Sequence, residues 1–239
     1  MTTGNIQDWI GKTEERNDLL TAFPANAMAA TLNHEQINYS ANKNLPPLWH
    51  WLFFLPIFKL SEAGYDGHAA LGDFLPPVKL PRRMWAGSRI QFLEPLKIGH
   101  EYKKTSTIKN VMAKSGRSGE LVFVTVSHEV SNGPSICINE EHDIVYREKA
   151  TTNSEAPKLV EAPNKFDFSI DINPDPVLLF RYSALTFNGH RIHYDYPFCT
   201  ETEGYDGLVV HGPLLATLLL DGLASQKPDA VVQNFEFRA

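Results

Sequence analysis

Apolar and polar residues alternate most clearly between residues 82 and 147. The stretch "ELVFVTVSHEVS" alternates with period two and predicts a strand. The preceding "KSGRSGE" predicts a hairpin turn, because glycine supplies the positive φ that such turns require. Before this turn, "RRMWAGSRIQFLEPLKIGHEYKKTSTIKNV" alternates in the same way, with turn residues at Gly87, Pro95 and Gly99. After it, "SICINEEHDIVYRE" predicts a strand pair or one long strand.

Two segments have helical spacing instead. Near the beginning, "IQDWIGKTEERNDLLTAF" places its apolar residues on a rough helical period. Near the end, "HGPLLATLLLDGLASQKPD" has a broad apolar face, Pro213 at the first helical position, and Lys227 and Pro228 where the helix stops. The following "AVVQNFEFRA" predicts a strand.

A change in composition divides the chain. The segment "KATTNSEAPKLVEAPNKFDF" is rich in small and polar residues and predicts a surface linker at 150–165. The chain then consists of a first half, 1–149, and a second half, 166–239. "SRIQFLEPLKIGHE" and "QNFEFRA" share apolar residues alternating around an aromatic residue. If the halves are repeats, the second half lacks its last strands.

Composition narrows the classes of partner and compartment. The net charge of -6 gives no general attraction to nucleic acid or to anionic membranes. Two cysteines, Cys137 and Cys199, make no disulfide framework and fit a reducing compartment, so we expect a cytoplasmic protein. The most apolar run, "LPPLWHWLFFLPIFKL", is broken by prolines and is shorter than the ~20 residues of a membrane span. It is predicted to be a buried or interface-facing segment, so we expect no membrane partner.

The stretch "TFNGHRIHYDYPF", residues 186–198, concentrates the polar groups that carry chemistry. It is consistent with a catalytic cluster, a metal site or a polar turn that caps a helix. His190 and His193 are three residues apart and could ligate zinc, but the sequence places no Cys-X-X-Cys motif or third ligand nearby. We therefore expect no metal.

The same region offers the two groups that hydration of a conjugated carbonyl compound requires. One is a base that activates water, and histidine is the natural base near neutral pH. The other is a donor for the developing oxyanion, which the N–H groups at a helix N-terminus provide. His193 lies on a predicted turn, and Gly212 immediately precedes the apolar helix. The alternative for each is structural, because a histidine can stabilise a turn and "HGP" can simply cap the helix.

Several motifs carry a family resemblance. "RYSALTFNGHRIHYDYPF" and "EGYDGLVVHGPLLATLLLDGL" resemble the MaoC-like hydratases and dehydratases of the hotdog fold. With "LPPLWHWLFFLP" and "FLPPVKLPRRMWAG", the chain is similar to the subgroup of mesaconyl-C4-CoA hydratase, itaconyl-CoA hydratase and hydroxyacyl-thioester dehydratase type 2. The resemblance implies an α+β double hotdog, with two curved antiparallel sheets each wrapped around a long helix. The half 1–149 would be degenerate, and 166–239 would be catalytic.

The resemblance also implies roles for individual residues. His193 falls on the catalytic histidine of the family, and Gly212 on the glycine whose N–H meets the thioester carbonyl. Asn188 stands where the family has an aspartate. An amide cannot accept a proton, so we expect His193 to be the base and Asn188 to orient water or substrate. The residues expected to bind substrate are Arg181, Arg191, His190 and His211.

Arg181 or Arg191 would meet a substrate carboxylate or the CoA phosphates, because guanidinium binds both bidentately. The alternative for each arginine is a structural ion pair.

The expected function is that of a hydro-lyase acting on a short enoyl-CoA, such as a C5 dicarboxylyl-CoA, without a cofactor. One alternative is a 3-hydroxyacyl dehydratase that uses acyl carrier protein, which requires a basic patch for its acidic carrier. Another is a hotdog protein that binds acyl thioesters without turnover, because Asn188 replaces a proton-exchanging residue. We also expect a homo-oligomer, most simply a dimer, since the edges of hotdog sheets usually pair.

Overall fold

The computed structural model describes residues 5–116, 119–148 and 164–239. They form an α+β structure with one six-stranded antiparallel sheet and three α-helices. The predicted linker lies outside the described residues except for residues 164–165, as does the tip of the predicted hairpin turn at 117–118. The elements are β1 (Thr13–Leu19), α1 (Ala22–Thr31), β2 (Arg82–Phe92), β3 (Glu101–Gly116), β4 (Gly119–Asn132), β5 (Ser135–Arg147), α2 (Pro176–Leu185), α3 (Gly212–Gln226) and β6 (Asn234–Arg238).

The sheet follows the alternating segments of the sequence. Its strand order is β1-β3-β4-β5-β2-β6, and β3, β4 and β5 pair as successive hairpins. The predicted strand in "ELVFVTVSHEVS" is confirmed as β4, and "SICINEEHDIVYRE" contains one long strand. Gly87 was predicted to lie in a turn, which is wrong, because it lies within β2 at a bulge. A Cβ at this position would be 2.2 Å from the carbonyl oxygen of Phe237, so glycine allows β6 to approach.

The prediction of a single helix near the beginning of the chain is also wrong. The segment contains a 3-10 turn at Ile6–Trp9, the edge strand β1, and only then the helix α1. The charged residues of β1 alternate between exposed and half-buried positions, which is the period of a strand. The apolar residues with apparent helical spacing therefore belong to three different elements.

The second predicted helix is confirmed as α3. It begins at Gly212 with Pro213 in its first turn and ends at Gln226. Leu214 is completely buried, and burial of a leucine side chain contributes about 1.5–3 kcal/mol. The strand predicted after it is confirmed as β6, which pairs with β2 and so joins the second half to the sheet of the first.

The apolar run between α1 and β2 supplies much of the core. Leu48, Trp49, Leu52 and Phe53 are at most 4% exposed and belong to the main hydrophobic cluster. This confirms the prediction that the beginning of the run is buried. In the part of the chain that the structure describes, no helix is long and apolar enough to cross a membrane.

Candidate active site

A cavity of about 540 Å³ lies between one face of the sheet and the segments that cover it. Its volume is typical of a site for a small organic ligand. Residues 50–75 and 182–189 line one side, and side chains of β2 to β5 line the other. Of the seven site residues predicted from the sequence, only Asn188 contributes to this lining.

Two loops meet at the edge of the cavity through their glycines. A Cβ on Gly67 would be 1.9 Å from the carbonyl oxygen of Gly189, and Gly67 has φ +89°. The N–H of Arg191 donates to the carbonyl of Asp66 at 2.9 Å. Only glycine permits this backbone-to-backbone approach, which brings together the histidines that follow the two glycines. The rings of His68 and His190 have centroids 4.1 Å apart.

His193 is held in one tautomer. Its Nδ1 lies 2.7 Å from the carbonyl oxygen of Val209, so Nδ1 carries the hydrogen and Nε2 keeps its lone pair. The side chain is 7% exposed, and its ring centroid is 5.4 Å from that of His190. Burial lowers the pKa of His193 to about 4, against the opposing hydrogen bond to Val209. The imidazole is therefore neutral at neutral pH, which is the form a general base requires.

His211 supports His193 from behind. The two rings stack with centroids 3.6 Å apart, and Nε2 of His211 lies 2.8 Å from the hydroxyl of Ser183. His211 is 1% exposed, and burial lowers its pKa. It links α2 to the beginning of α3 and fixes the ring plane of His193. Because His211 is buried so completely, the structure does not favour its predicted contact with the substrate.

Asn188 and Gly212, the other two predicted catalytic residues, lie next in sequence to a residue of this histidine cluster or are separated from one by a single residue. Oδ1 of Asn188 accepts the N–H of His190 at 3.0 Å, which leaves the amide hydrogens for another partner. Gly212 is the first residue of α3, where N–H groups lack intrahelical acceptors. A Cβ on Gly212 would be 2.5 Å from the ring of Trp85, so the position excludes any larger residue. The neighbouring Pro213 lines the cavity.

The family model of hydroxyacyl-thioester dehydratase type 2 matches residues 48–239. The chain belongs to this family. It is 47% identical over 240 residues to mesaconyl-C(4)-CoA hydratase of Chloroflexus aurantiacus, covering 100% of the chain and 85% of that protein. It is 29% identical over 251 residues to the mitochondrial hydroxyacyl-thioester dehydratase type 2 of Schizosaccharomyces pombe, covering 92% and 83%. The resemblance found in the sequence is confirmed.

Solved structures of low sequence identity share the fold. A MaoC-like dehydratase from Phytophthora capsici superposes with a TM-score of 0.68 at 12% identity, covering 100% of the chain and 83% of that structure. A Mycobacterium tuberculosis protein with a double hotdog fold superposes with a TM-score of 0.56 at 12% identity, covering 98% and 80%. The predicted hotdog fold is thus confirmed.

In this member of the hydroxyacyl-thioester dehydratase family, the two predicted arginines lie away from the cavity. Arg191 pairs with Asp195 at 2.7 Å, donates to the carbonyl of Tyr65 at 3.0 Å, and lies 4.1 Å above the ring of Phe198. Arg181 is exposed on α2. The contacts of Arg191 favour the structural alternative for that residue. Arg181 is not among the residues that line the cavity.

Other cations line the cavity instead. Arg83 and Lys104 contribute to its lining, and neither has a carboxylate within salt-bridge distance among the described residues. Lys104 lies over the ring of Phe54, and burial lowers its pKa. The preceding Arg82 pairs with Glu203 at 2.9 Å. Adjacent strand residues point to opposite faces, so "RRM" indicated that Arg82 and Arg83 have different surroundings.

The floor of the cavity contains a buried carboxylate on β5. Glu140 accepts hydrogen bonds from Ser88 at 2.8 Å and from the indole of Trp51, and its other oxygen lies 3.1 Å from Nε2 of His50. Burial alone raises the pKa of Glu140, but the hydrogen bond and the charge of His50 outweigh it and hold the pKa below its usual range. The floor is therefore polar, unlike the aromatic cover, and Nδ1 of His50 is buried there without a hydrogen-bond partner among the described residues.

Asp66 and His68 were missed in the sequence. Oδ2 of Asp66 lies 2.8 Å from Nδ1 of His68, and His68 lines the cavity beside Asn188. The ligand atoms of Asp66, His68 and His190 all lie within 4.8 Å of one another. The fold thus brings beside His190 two polar side chains that are distant from it in sequence. The available signal was the tetrapeptide "GYDG", which precedes His68 at 64–67 and recurs at 204–207.

Proposed function

We propose that this protein is a hydratase that adds water to the double bond of a short enoyl-CoA, with a C5 dicarboxylyl-CoA such as mesaconyl-C4-CoA as its substrate. The observation that carries the substrate class is a pair of cations, Arg83 and Lys104, that form no salt bridge with another described residue and line a cavity covered by aromatic side chains. A purely aliphatic acyl group has no use for them, whereas a second carboxylate does. The 47% identity to a mesaconyl-C(4)-CoA hydratase supports the same substrate.

Each event of water addition at the β-carbon has a group in the site. Nε2 of His193 takes a proton from water as the oxygen bonds to the β-carbon, and Asn188 orients that water. The electrons of the double bond move to the thioester oxygen, and the N–H of Gly212 stabilises the resulting enolate, whose protonation at the α-carbon completes hydration. General base removal typically costs roughly 10²- to 10⁴-fold in rate, and loss of one oxyanion donor about 10²- to 10³-fold.

The carboxylate of the substrate is assigned to Arg83, with Lys104 deeper over the floor. Arg83 lines the same cavity as His68 and Asn188, which supports this assignment. Guanidinium binds a carboxylate bidentately, which orients a branched acyl chain as well as attracting it. The exposed Arg181 is assigned to the CoA phosphates, which lie outside the acyl cavity.

Steady-state hydration of a panel of thioesters tests this function. We expect the highest kcat/KM with mesaconyl-C4-CoA, lower values with crotonyl-CoA, and little turnover of crotonyl groups on acyl carrier protein. Preference for the carrier-bound ester would favour a 3-hydroxyacyl dehydratase instead. Tight binding of every ester without turnover would identify a non-catalytic thioester-binding protein.

The division into halves and the oligomeric state belong to the same proposal. β1 and β6 form the two edges of the sheet in the described residues, and either edge can accept a strand from a second copy. We propose a homodimer in which 166–239 carries the chemistry and 1–149 covers the acyl group. Light scattering of the purified protein gives the number of subunits.

A further inference from the structure

We propose that Asp66 and His68 form a second acid–base unit of the active site, with His68 as a catalytic residue that exchanges a proton with the α-carbon and Asp66 as the residue that positions it. The inference rests on the proposed hydratase function. It assigns chemistry to the first half of the chain, which the sequence motifs leave without any.

The geometry is that of an oriented imidazole. Nδ1 of His68 donates to Oδ2 of Asp66 at 2.8 Å, and Oδ1 of the same carboxylate accepts the backbone N–H of His68 at 3.0 Å. The side chains of Asp66 and His68 are only 17% and 22% exposed. With Nδ1 held by the carboxylate, Nε2 is the atom left for a reacting group, and the ring lines the cavity next to Gly67 and Asn188.

Hydration moves two protons, and Asn188 can exchange neither. One proton leaves water, which His193 can accept, and one must reach the α-carbon. His68 faces the cavity, and a carboxylate stabilises its protonated form. His50, His128 and His142 also line the cavity, but they lie around Glu140, which already accepts hydrogen bonds from Ser88 and Trp51. The loop of His68 packs directly against the loop of Asn188, through Gly67 and Gly189.

The proton balance closes without any co-reactant. The reacting form has His68 as imidazolium, paired with Asp66, and His193 neutral. Water loses one proton to Nε2 of His193 and bonds to the β-carbon, and the thioester becomes an enolate. Nε2–H of His68 then donates its proton to the α-carbon as the enolate collapses. The proton on His193 returns to His68 through His190, whose ring lies 5.4 Å from that of His193 and 4.1 Å from that of His68.

Two variants test the assignment, each with a matched control. His68→Gln removes the proton-exchanging group, and Asp66→Asn keeps the size of the residue while removing its charge. His34 and Asp221 form a similar pair at 2.7 Å, with side chains 26% and 23% exposed, and neither lines the cavity. His34→Gln therefore controls for the loss of a half-buried histidine–carboxylate pair.

We expect His68→Gln to lower kcat for mesaconyl-C4-CoA by roughly 10²-fold or more, with KM changed far less. We expect His34→Gln to retain wild-type kcat. Thermal unfolding of both variants shows whether each is folded. Exchange of the α-hydrogens of glutaryl-CoA with deuterated solvent gives a readout independent of water addition. His193→Gln should retain that exchange, and His68→Gln should lose it.

The pH profile separates positioning from structure. Burial lowers the pKa of His68 and Asp66 opposes that effect, while Arg83, His190 and His193 face the same ring from other elements. Removing the charge of Asp66 therefore favours the neutral imidazole. The alkaline limb of kcat should move to lower pH in Asp66→Asn, by about one pH unit or more.

The outcomes are distinct. Absence of hydration by the wild-type protein refutes the proposed function itself. An active wild type with a His68→Gln variant that keeps more than a third of its kcat, or retains α-hydrogen exchange, overturns the role of His68. An alkaline limb that does not move in Asp66→Asn does the same for Asp66. Loss of wild-type activity with a chelator and its recovery with Zn²⁺ would also overturn the proposal, because Asp66, His68 and His190 would then be metal ligands.

Discussion

Replacement of His193 by glutamine should change how the stability of the protein depends on pH. The pKa of His193 is about 4 in the folded protein, against 6.5 for an ordinary histidine. As pH falls below 6.5, the unfolded chain binds a proton at this residue and the folded chain does not. Protons therefore favour the unfolded state, and the free energy of unfolding decreases as pH falls from 6.5 towards 4.

The magnitude follows from the same two values. Their difference corresponds to about 3 kcal/mol of stability that is present above pH 6.5 and lost on reaching pH 4. The limiting slope is about 1.4 kcal/mol for each pH unit, the value for one proton. His190 and His211 also have pKa values lowered by burial, so they add to the wild-type slope. Replacement of His193 by glutamine removes only the part of this slope that His193 contributes.

Urea unfolding followed by tryptophan fluorescence at several pH values between 4.5 and 7.5 measures this share. The side-chain amide of glutamine can still donate to the carbonyl of Val209, so His193→Gln removes the titration with little other change. Between pH 6 and pH 5, the free energy of unfolding should fall less steeply in the variant, by about 1 kcal/mol. His100→Gln, at a histidine outside the site, is the control. Equal slopes for His193→Gln and wild type would show that this imidazole titrates like an exposed one, and the argument for a neutral base held by burial would fail.

Three further variants test other parts of the site. Gly212→Ala places a methyl group against Trp85, so we expect a loss of about 1–3 kcal/mol of stability. Adding Trp85→Leu to this variant should recover part of the loss. If the effects of the two substitutions on stability are strictly additive, the contact is contradicted. Arg83→Met should raise KM for mesaconyl-C4-CoA far more than for crotonyl-CoA, and Lys104→Met provides the comparison; equal effects on both esters would remove Arg83 from carboxylate binding. Asn188→Asp should retain turnover and acquire an altered pH profile, because an aspartate still accepts the backbone N–H of residue 190; complete inactivity would show that the amide hydrogens are essential.

Much of the fold could be predicted because most elements have one period along their whole length. The strand β4 alternates strictly, and α3 begins at a Gly-Pro pair and ends before Lys227. The edge strand β1 could not be recognised in the same way. Its side chains are mostly polar or charged on both faces, and its few apolar neighbours belong to the flanking turn and helix.

The sequence could suggest site residues where they are close together along the chain. His193, His190 and Asn188 lie within six residues, and Gly212 opens the most regular helix. The structural role of Arg191 could also have been recognised from the sequence. Its partner Asp195 is four residues away, so the two residues have the spacing of an i, i+4 ion pair. Asp66 and His68 were not readable. They reach the site only because Gly67 and Gly189, distant in sequence, permit two loops to touch.

The proposed reaction of this cavity is hydration of a carboxylated enoyl thioester. It is tested by the ratio of kcat/KM for mesaconyl-C4-CoA to that for crotonyl-CoA, measured with the wild-type protein by the loss of absorbance of the conjugated thioester. We expect a ratio well above one, because only the first ester carries a carboxylate for the cations of the cavity. A ratio at or below one, or no turnover of either ester, would contradict it.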